Sequence, residues 1–457
     1  MNTPRRTAVI IGAGPGGLCA GALLARKGWR VIACERLSTV GGRTRTQNVG
    51  GYDLPRGAVS FQLTGALPKI CDEVGAKFEI RPISETWFWI KGGGEFVQLP
   101  ARGGIKKMLE MFAQVKGGDK AGALGQVGLQ LAMSRIGAAF KNPGEVPEGE
   151  EGPSFREWLS RHTDNEDLLA LFHAITSAVS AVNDFEYPAR HWFAHFSQKS
   201  MDARVDRFGM IAGGFEAVSR ALADVIRDCG GEIRLATPVR RILTSGGRAT
   251  GVEVESADGA VGTLDADLVI SNAGPTGTLA LAGEAALGAD YVATIRRRVK
   301  PVPIVVTYVV SDEPLFPHRA SILAAGLERI VTAMPLTNIC PEWAPDGRHI
   351  TSFYGTPKSC LAPMDRDDER RANVADIHAL FPDFAARGGR VLEVQLRDID
   401  DPDVVARAFP GRHAPVDTPI PNLFNVGDGC APDGFVATPA AAMSARLAVD
   451  RALAGAA

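Results

Sequence analysis

Three glycines and a carboxylate near the start of the chain have the spacing of a dinucleotide-binding site. Gly12, Gly14 and Gly17 follow the G-x-G-x-x-G pattern within TAVIIGAGPGGLCAGALLARKGWRVIACER, residues 7–36. The first glycine allows a tight turn, the second lets a pyrophosphate approach the backbone, and the third lets a helix pack against a strand. Glu35 can accept hydrogen bonds from both ribose hydroxyls and disfavours a 2′-phosphate. The pattern therefore predicts FAD or NAD rather than NADP.

The residues that flank the glycines predict the elements that position them. Thr7–Ile11 is largely apolar, which is typical of a parallel strand with both faces covered. Leu18–Lys27 predicts a helix whose N-terminus directs free N–H groups at phosphates. Gly28 ends this helix, and Trp29–Cys34 predicts a second strand. The order of strand, glycines, helix, strand and acid predicts a βαβ unit.

A second glycine-containing segment follows this unit, within LSTVGGRTRTQNVGGYDLPRGAVSF. Gly41, Gly42 and Arg43 are followed there by Thr44 and Thr46. The segment resembles the GG-R-x-x-[ST] motif of the amine oxidase and phytoene desaturase superfamily of flavoproteins. In that superfamily the paired glycines and the arginine wrap the pyrophosphate of FAD. The resemblance therefore favours FAD over NAD.

The segment PIPNLFNVGDGCAPDGFVATPAAAMSARLAVDRAL resembles the closing motif of the same superfamily. Leu423–Val426 predicts a short strand, Gly427 and Asp428 follow it, and an alanine-rich helix is predicted over residues 439–453. In the superfamily the G-D segment holds the ribityl and phosphate part of FAD, and the helix N-terminus faces the pyrimidine end of the flavin. That arrangement suits the charges, because the reduced flavin is negative at this edge.

Between these segments, residues 233–275 predict a series of hairpins that returns to a parallel strand at Leu268–Ser271. The resemblance implies that the backbone of Val239 contacts the adenine and that Asn272 and Ala273 close the ribose side of the cofactor. The predicted FAD-binding set is Gly12, Gly14, Pro15, Gly16, Gly17, Glu35, Arg36, Gly42, Arg43, Arg56, Gly57, Ala58, Val239, Asn272, Ala273, Gly427, Asp428, Phe435, Val436 and Ala437.

The resemblance implies an α/β fold (α+β overall). A Rossmann-type FAD-binding domain of the GR2 type is interleaved with a substrate domain of mixed sheet plus helices. We expect the FAD-binding domain to comprise residues 1–95, 205–290 and 405–457, and the substrate-binding domain to comprise residues 96–204 and 291–404.

Within the two inserts, apolar residues at three- and four-residue spacing predict helices over Phe155–Leu159, Asp167–Val182 and Pro188–Lys199. The segments 302–310 and 349–355 predict strands of a sheet with one face over the flavin. The basic segment 101–141 could lie on a membrane surface. A helix of the substrate domain with its charged face in water is the favoured interpretation of this segment.

Comparison with the branches of the superfamily favours removal of hydrogen from carbon. Amine oxidases of this kind usually have two aromatic walls before the flavin and a lysine on the strand that matches 303–310. Here that stretch is apolar, Lys300 precedes it, and Phe435 supplies one wall. The turn before the helix in 207–233 resembles the phytoene dehydrogenase-like branch. We therefore expect an FAD-dependent desaturase of a polyene or a small cyclic ketone, with a flavin amine oxidase and an escort-type flavoprotein as alternatives.

A ketone substrate would require a base for its acidic α-proton while a hydride passes from the β-carbon to the flavin. Tyr308, Tyr354 and His195 are the candidate catalytic residues, and His173 is a further candidate for the same role. For each of them, and for the aromatic Trp192, a structural role in an apolar core is the competing interpretation.

Composition limits the possible partners. The net charge of −2 gives no indication of a nucleic-acid partner, and the seven scattered cysteines contain no CxxC pair or metal-site spacing. We expect reduced thiols, a cytoplasmic protein that could be peripheral to a membrane, and noncovalent FAD, because no cysteine occurs between 361 and 429. The expected partners are a small apolar substrate and an electron acceptor, which could be dioxygen, a quinone or another redox protein. Sequence alone leaves the oligomeric state open.

Overall fold

A five-stranded parallel sheet forms the centre of the nucleotide-binding part of the chain. Its strands run in the order Glu232–Arg234, Arg30–Cys34, Thr7–Ile11, Leu268–Ser271 and Leu423–Asn425. The predicted strands are confirmed, and all of Ala8 to Ile11 is buried, as expected for a strand covered on both faces. The computed structural model describes residues 5–83, 85–90, 96–99, 134–139, 152–196, 208–432 and 434–455.

Helices cover one face of this sheet and a small antiparallel sheet covers the other. The helices that pack together are Pro15–Arg26, Ala66–Val74, Glu216–Asp228 and Ala437–Ala454. The antiparallel sheet consists of Val239–Ser245, Arg248–Glu255 and Val261–Asp265. The predicted hairpins and both predicted helices are therefore confirmed. The first helix begins at Pro15, three residues before its predicted start, because proline fits the first position of a helix, where its missing N–H costs no hydrogen bond.

The second large sheet has seven strands and is mixed. Its strands run in the order Arg390–Arg397, Ile304–Ser311, His349–Gly355, Ile330–Pro335, Ala320–Ala325, Glu85–Ile90 and Phe96–Leu99. Only the pairing of Ala320–Ala325 with Glu85–Ile90 is parallel among the neighbours in this sheet. The strands predicted over 302–310 and 349–355 are confirmed.

The two faces of the seven-stranded sheet bury different cores. On one face, Ile322 and Phe353 pack with Ile377 of the helix Arg366–Leu380. The other face, which carries Tyr308, joins a core that includes Tyr52, Leu54 and residues of three helices. Those helices are Phe155–Ser160, Glu166–Ser180 and Ala189–Phe196, which confirms the three helices predicted in the first insert. We call the face that carries Tyr308 the roof face.

The remaining elements connect these layers. Two small antiparallel sheets contain, first, Thr46–Val49 and Tyr52–Pro55 and, second, Ser60–Gln62, Phe208–Ile211 and Ile80–Ile83. The other helical segments are Gly42–Thr44, residues 134–139, Pro275–Ala282, Glu284–Leu287, Ala289–Arg298, Leu336–Ile339 and Pro341–Trp343.

Most of the basic segment 101–141 lies outside the described residues, and the predicted domain boundaries stay a prediction. Within the described ranges, no helix combines the length and apolar character needed to cross a bilayer. The seven cysteines form no disulfide, and six of them are buried.

Candidate functional site

The glycine turn after the first strand leaves no room for larger side chains. Gly12 has a φ of +91°, a conformation that only glycine adopts readily. A Cβ on Gly17 would lie 2.2 Å from the carbonyl oxygen of Gly12, and a Cβ on Gly14 would lie 2.9 Å from Nδ2 of Asn272. The third glycine therefore allows the helix to pack against the strand, as the motif predicts.

Three segments that are far apart in sequence meet at this turn. A Cβ on Gly16 would lie 2.9 Å from both Oδ1 of Asn272 and the backbone nitrogen of Gly427. The helix Pro15–Arg26 begins there, with Gly14 before it and no side-chain cap. Uncapped N–H groups at a helix N-terminus form a site for phosphate. The structure thus brings the first, middle and closing predicted segments together around one anion site.

Glu35 lies at the carboxyl end of the second strand, beside this turn. Its side chain is buried and accepts hydrogen bonds from the backbone N–H groups of Ala13, at 2.7 Å, and Leu37, at 3.0 Å. The backbone N–H of Thr237 donates to the carbonyl oxygen of Glu35, which brings the start of the Val239 strand close. A carboxylate oriented by two backbone donors retains lone pairs for a ribose diol.

Arg43 and Asp428, two predicted cofactor residues, form a bidentate ion pair with each other. Arg43 Nη1 is 2.9 Å from Asp428 Oδ2, and Arg43 Nη2 bonds Asp428 Oδ1. Arg43 also donates to the carbonyl oxygens of Val404 and Val405, and the N–H of Arg407 donates to Asp428. Burial raises the pKa of Asp428, but the nearby Arg43 guanidinium outweighs it and holds the pKa below its usual value. The pair therefore joins the second and closing segments as one ionised unit.

Residues 56–58 lie between the cofactor segments and the roof face. The backbone N–H of Arg56 donates to the carbonyl oxygen of Arg45, and its guanidinium forms a 2.9 Å ion pair with Glu393. A Cβ on Gly57 would lie 2.4 Å from the carbonyl oxygen of Arg43, so only glycine permits this approach. Ala58 is partly buried against the core of the nucleotide-binding part.

The closing helix begins with free donors, as its predicted role requires. Val436 precedes the helix Ala437–Ala454 in an extended conformation, and no side chain caps the first turn. Ala437 has a φ of +51°, and Phe435 is partly buried. The positive end of a helix dipole at this point suits the negative edge of a reduced flavin.

Other predicted cofactor residues lie around these contacts. Ala273 is partly buried against the nucleotide core. Arg36 is exposed and close enough to Arg407 to lower the pKa of that guanidinium, behind the larger effect of burial and the effect of Arg43. The glycine cradle, the oriented Glu35 carboxylate and the two uncapped helix N-termini together fit FAD. The individual contacts to the cofactor stay predictions.

Two of the candidate catalytic groups lie on the roof face. Tyr308 is buried and donates its hydroxyl to the carbonyl oxygen of Pro55. Tyr354 lies beside it, because Val306 pairs across the sheet with Tyr354 and Tyr308 is two residues along the same strand. Both phenols are protonated at neutral pH, as tyrosines ordinarily are, and burial raises the pKa of each of them further. Tyr308 is therefore a hydrogen-bond donor that fixes the sheet over residues 55–58.

The candidate histidines lie in the helical part of the molecule. Nδ1 of His195 is 3.0 Å from the hydroxyl of Tyr187, and burial, followed by the charge of His413, lowers the pKa of His195 to about 4. Nδ1 of His173 lies 2.8 Å from Oδ1 of Asp184. Trp192 stacks on an aromatic neighbour and donates to Thr176, as expected of a core residue.

A network of charged residues, which was not predicted from the sequence, connects the roof face to the cofactor segments. Arg45 pairs with Asp403 at 2.6 Å, and Glu393, which pairs with Arg56, also accepts from Gln395. The signal was present in VLEVQLRD, where polar residues alternate along one strand at positions 393, 395 and 397. Alternation of this kind places all three side chains on one sheet face.

Comparisons with known proteins support a flavin-binding site of this geometry. The sequence profile of the family described as flavin containing amine oxidoreductase matches residues 15–453. The all-trans-zeta-carotene desaturase of Myxococcus xanthus is 27% identical over 297 residues, which are 59% of this chain and 52% of that protein. A neurosporene-forming phytoene desaturase of Rhodobacter capsulatus is 27% identical over 286 residues, 58% of this chain and 52% of that protein.

The chain spans about half the length of these desaturases. Among solved structures, an oxidoreductase from Methanosarcina mazei matches with a TM-score of 0.81 and 25% identity. That match covers 97% of this chain and all of the other.

Proposed function

The chain belongs to the flavin containing amine oxidoreductase family. We propose that this FAD-dependent oxidoreductase desaturates a carbon–carbon bond of an apolar or alicyclic substrate. The observation that carries this proposal is the composition of the roof strand Ile304–Ser311. Every residue of this strand is buried, and none is a lysine. Lys300 is exposed and precedes the strand. The strand therefore offers an apolar surface rather than the lysine expected of an amine oxidase.

Held by the glycine cradle and Glu35, FAD would supply a two-electron acceptor for the desaturation, in which a hydride leaves one carbon and a proton leaves the neighbouring carbon. The protein positions the substrate and excludes water. Val306 and Tyr308 are buried on the roof face, and the bond from Tyr308 to Pro55 fixes that face over the segment that contains Gly57. Exclusion of water strengthens the electrostatic interactions within the site.

Hydrogen-bond donation is the role that we propose for Tyr354. The phenol is protonated at neutral pH, and burial raises its pKa further above that range. A protonated phenol can donate to the carbonyl oxygen of a cyclic ketone and so favour loss of the adjacent proton. His195 is neutral at the same pH, since burial lowers its pKa to about 4, which makes its imidazole only a weak acceptor for the departing proton. A polyene would need neither group.

The products of turnover test the proposed reaction. The purified protein, loaded with FAD and supplied with dioxygen or a quinone, is incubated with a cyclic ketone, with a carotenoid precursor and with primary amines. We expect a product two hydrogens lighter, with its carbon skeleton intact, from a ketone or a polyene. Conversion of the amines alone, with release of ammonia, would show that the enzyme is an amine oxidase. Parallel reactions with dioxygen and with the quinone identify the acceptor that reoxidises the flavin.

A further inference from the structure

A stripe of polar side chains runs along one edge of the apolar roof face. Glu393, Gln395 and Arg397 alternate along the edge strand Arg390–Arg397. They pair across the sheet with Tyr308, Val306 and Ile304, respectively. Directly opposed residues of neighbouring strands have their side chains on the same face. The stripe therefore points toward residues 55–58, as the contact between Glu393 and Arg56 shows.

Arg397 is buried without a carboxylate partner among the residues that the structure describes. It is 4% exposed, and its guanidinium donates to Oε1 of Gln395. Its Nε has no hydrogen-bond partner within the described part of the chain. The nearby acids are already paired, since Glu393 contacts Arg56 and Asp403 contacts Arg45. Arg397 thus carries a buried positive charge that those acids do not bond.

A second buried arginine, Arg329, provides a comparison for Arg397, because its guanidinium has a purely structural role. Arg329 is 8% exposed, similar to Arg397. It forms ion pairs with Glu328, Asp368 and Glu369. Burial of an ion is costly unless an opposite charge and hydrogen bonds compensate for it. Arg329 has this compensation within the protein, whereas Arg397 lacks a bonded carboxylate and burial lowers its pKa.

We propose that Arg397 binds a carboxylate of the substrate, so that the substrate is an organic acid with an apolar or alicyclic body. This inference rests on the proposed function and deepens it by naming the substrate class. A guanidinium binds a carboxylate through parallel N–H donors, and the free Nε of Arg397 supplies one of them. The apolar body then extends toward Val306 and Tyr354, which lie on the same face of the sheet.

Matched acid and amide probes test this assignment on the FAD-loaded protein. Cyclohexanecarboxylate and benzoate are compared with cyclohexanecarboxamide and benzamide, which have the same shape without the charge. Calorimetry measures the dissociation constants, and the flavin absorbance reports whether the probe lies near the cofactor. We expect each acid to bind at least about tenfold more tightly than its amide, because hydrogen bonds to a charged group are the stronger kind.

Variants separate Arg397 from other arginines. Arg397→Met should abolish the preference for the acid, and Arg397→Lys should retain part of it because the charge remains without the planar fork. Arg241→Met is the control, since Arg241 is exposed on the antiparallel sheet of the nucleotide-binding part and should leave binding unchanged. If Arg397→Met fails to fold, two other results test the proposal: the preference of the wild-type protein for acids over amides, and the reduction of that preference in Arg397→Lys.

The proposal is wrong if no acid binds the wild-type protein more tightly than its amide, or if both variants bind acids as the wild type does. Failure of the proposed function has a different signature. Calorimetry detects carboxylate binding without turnover, so a protein that binds acids through Arg397 but oxidises only amines would retain this inference and lose the desaturase assignment.

Discussion

Replacement of Asp428 by asparagine tests the ion pair that joins two cofactor segments. The side chains of Asp428 and Arg43 are 8% and 24% exposed. Breaking a buried ion pair costs about 3–5 kcal/mol, because one charge stays buried without its partner. Asparagine keeps an acceptor for the N–H of Arg407, and Arg43 keeps the carbonyl oxygens of Val404 and Val405. We therefore expect Asp428→Asn to lower the free energy of unfolding by about 2–3 kcal/mol.

Urea denaturation followed by circular dichroism measures this loss, and quenching of flavin fluorescence measures the dissociation constant of FAD. Affinity for FAD should fall with stability, since the pair sets the position of Arg43. Asp417→Asn provides the control, because the ion pair between Asp417 and Arg451 has side chains 53% and 46% exposed and should be worth less than about 1 kcal/mol. Equal losses of stability in the two variants would show that the buried ion pair stabilises the protein no more than the exposed pair does.

The effect of Asp428→Asn on the free energy of unfolding should depend on pH, in a direction that follows from the pKa of Asp428. The pKa of Asp428 is lower in the folded protein than its ordinary value of about 3.9. Its contribution to stability is therefore present above that pH and is lost as pH falls through the folded pKa. The difference in unfolding free energy between wild type and Asp428→Asn should shrink from pH 7 to pH 3. A difference independent of pH would contradict the assignment of an ionised Asp428.

Three further predictions concern the turn, a buried histidine and the roof face. Gly17→Ala places a Cβ 2.2 Å from a backbone carbonyl oxygen and should abolish FAD binding. Gly262→Ala is the control, because no atom lies within 4 Å of its Cβ, and it should leave FAD binding unchanged. The FAD content of the two purified variants measures both effects. Because burial lowers the pKa of His195 to about 4, the unfolded chain binds its proton first, so stability should fall by up to about 3 kcal/mol between pH 6.5 and 4. A His195→Gln variant that keeps the full acid loss in urea titrations would exclude this histidine as the cause. Tyr308→Phe removes the donor to Pro55 and should cost about 1 kcal/mol in the same denaturation assay, with unchanged stability counting against the bond.

Local patterns in the sequence identify the cofactor segments and most of the elements around them. The glycines at 12, 14 and 17 are close together in the sequence, so their spacing alone predicts the turn and the helix that begins within it. The apolar run at 304–311 predicts a buried strand for a similar reason, since its burial follows from its own composition.

Contacts between distant residues could not be predicted in the same way. Arg43 and Asp428 are 385 positions apart, and the motif around each residue predicts a contact with the cofactor, not their contact with each other. The alternating polar residues of 393–397 are equally compatible with a strand that has one face in water. Only the packing of that edge strand beside Ile304–Ser311 shows that Arg397 is buried on the roof face.

The anaerobic visible spectrum of the purified protein provides the critical test of FAD-dependent desaturation. We predict a flavin spectrum that bleaches when a cyclic ketone, a polyene or an alicyclic acid is added, and that does not change with amines. Bleaching by amines alone would contradict the proposed desaturation. A protein that remains colourless after FAD is supplied would contradict the FAD site formed by residues 12–17, Glu35, Arg43 and Asp428.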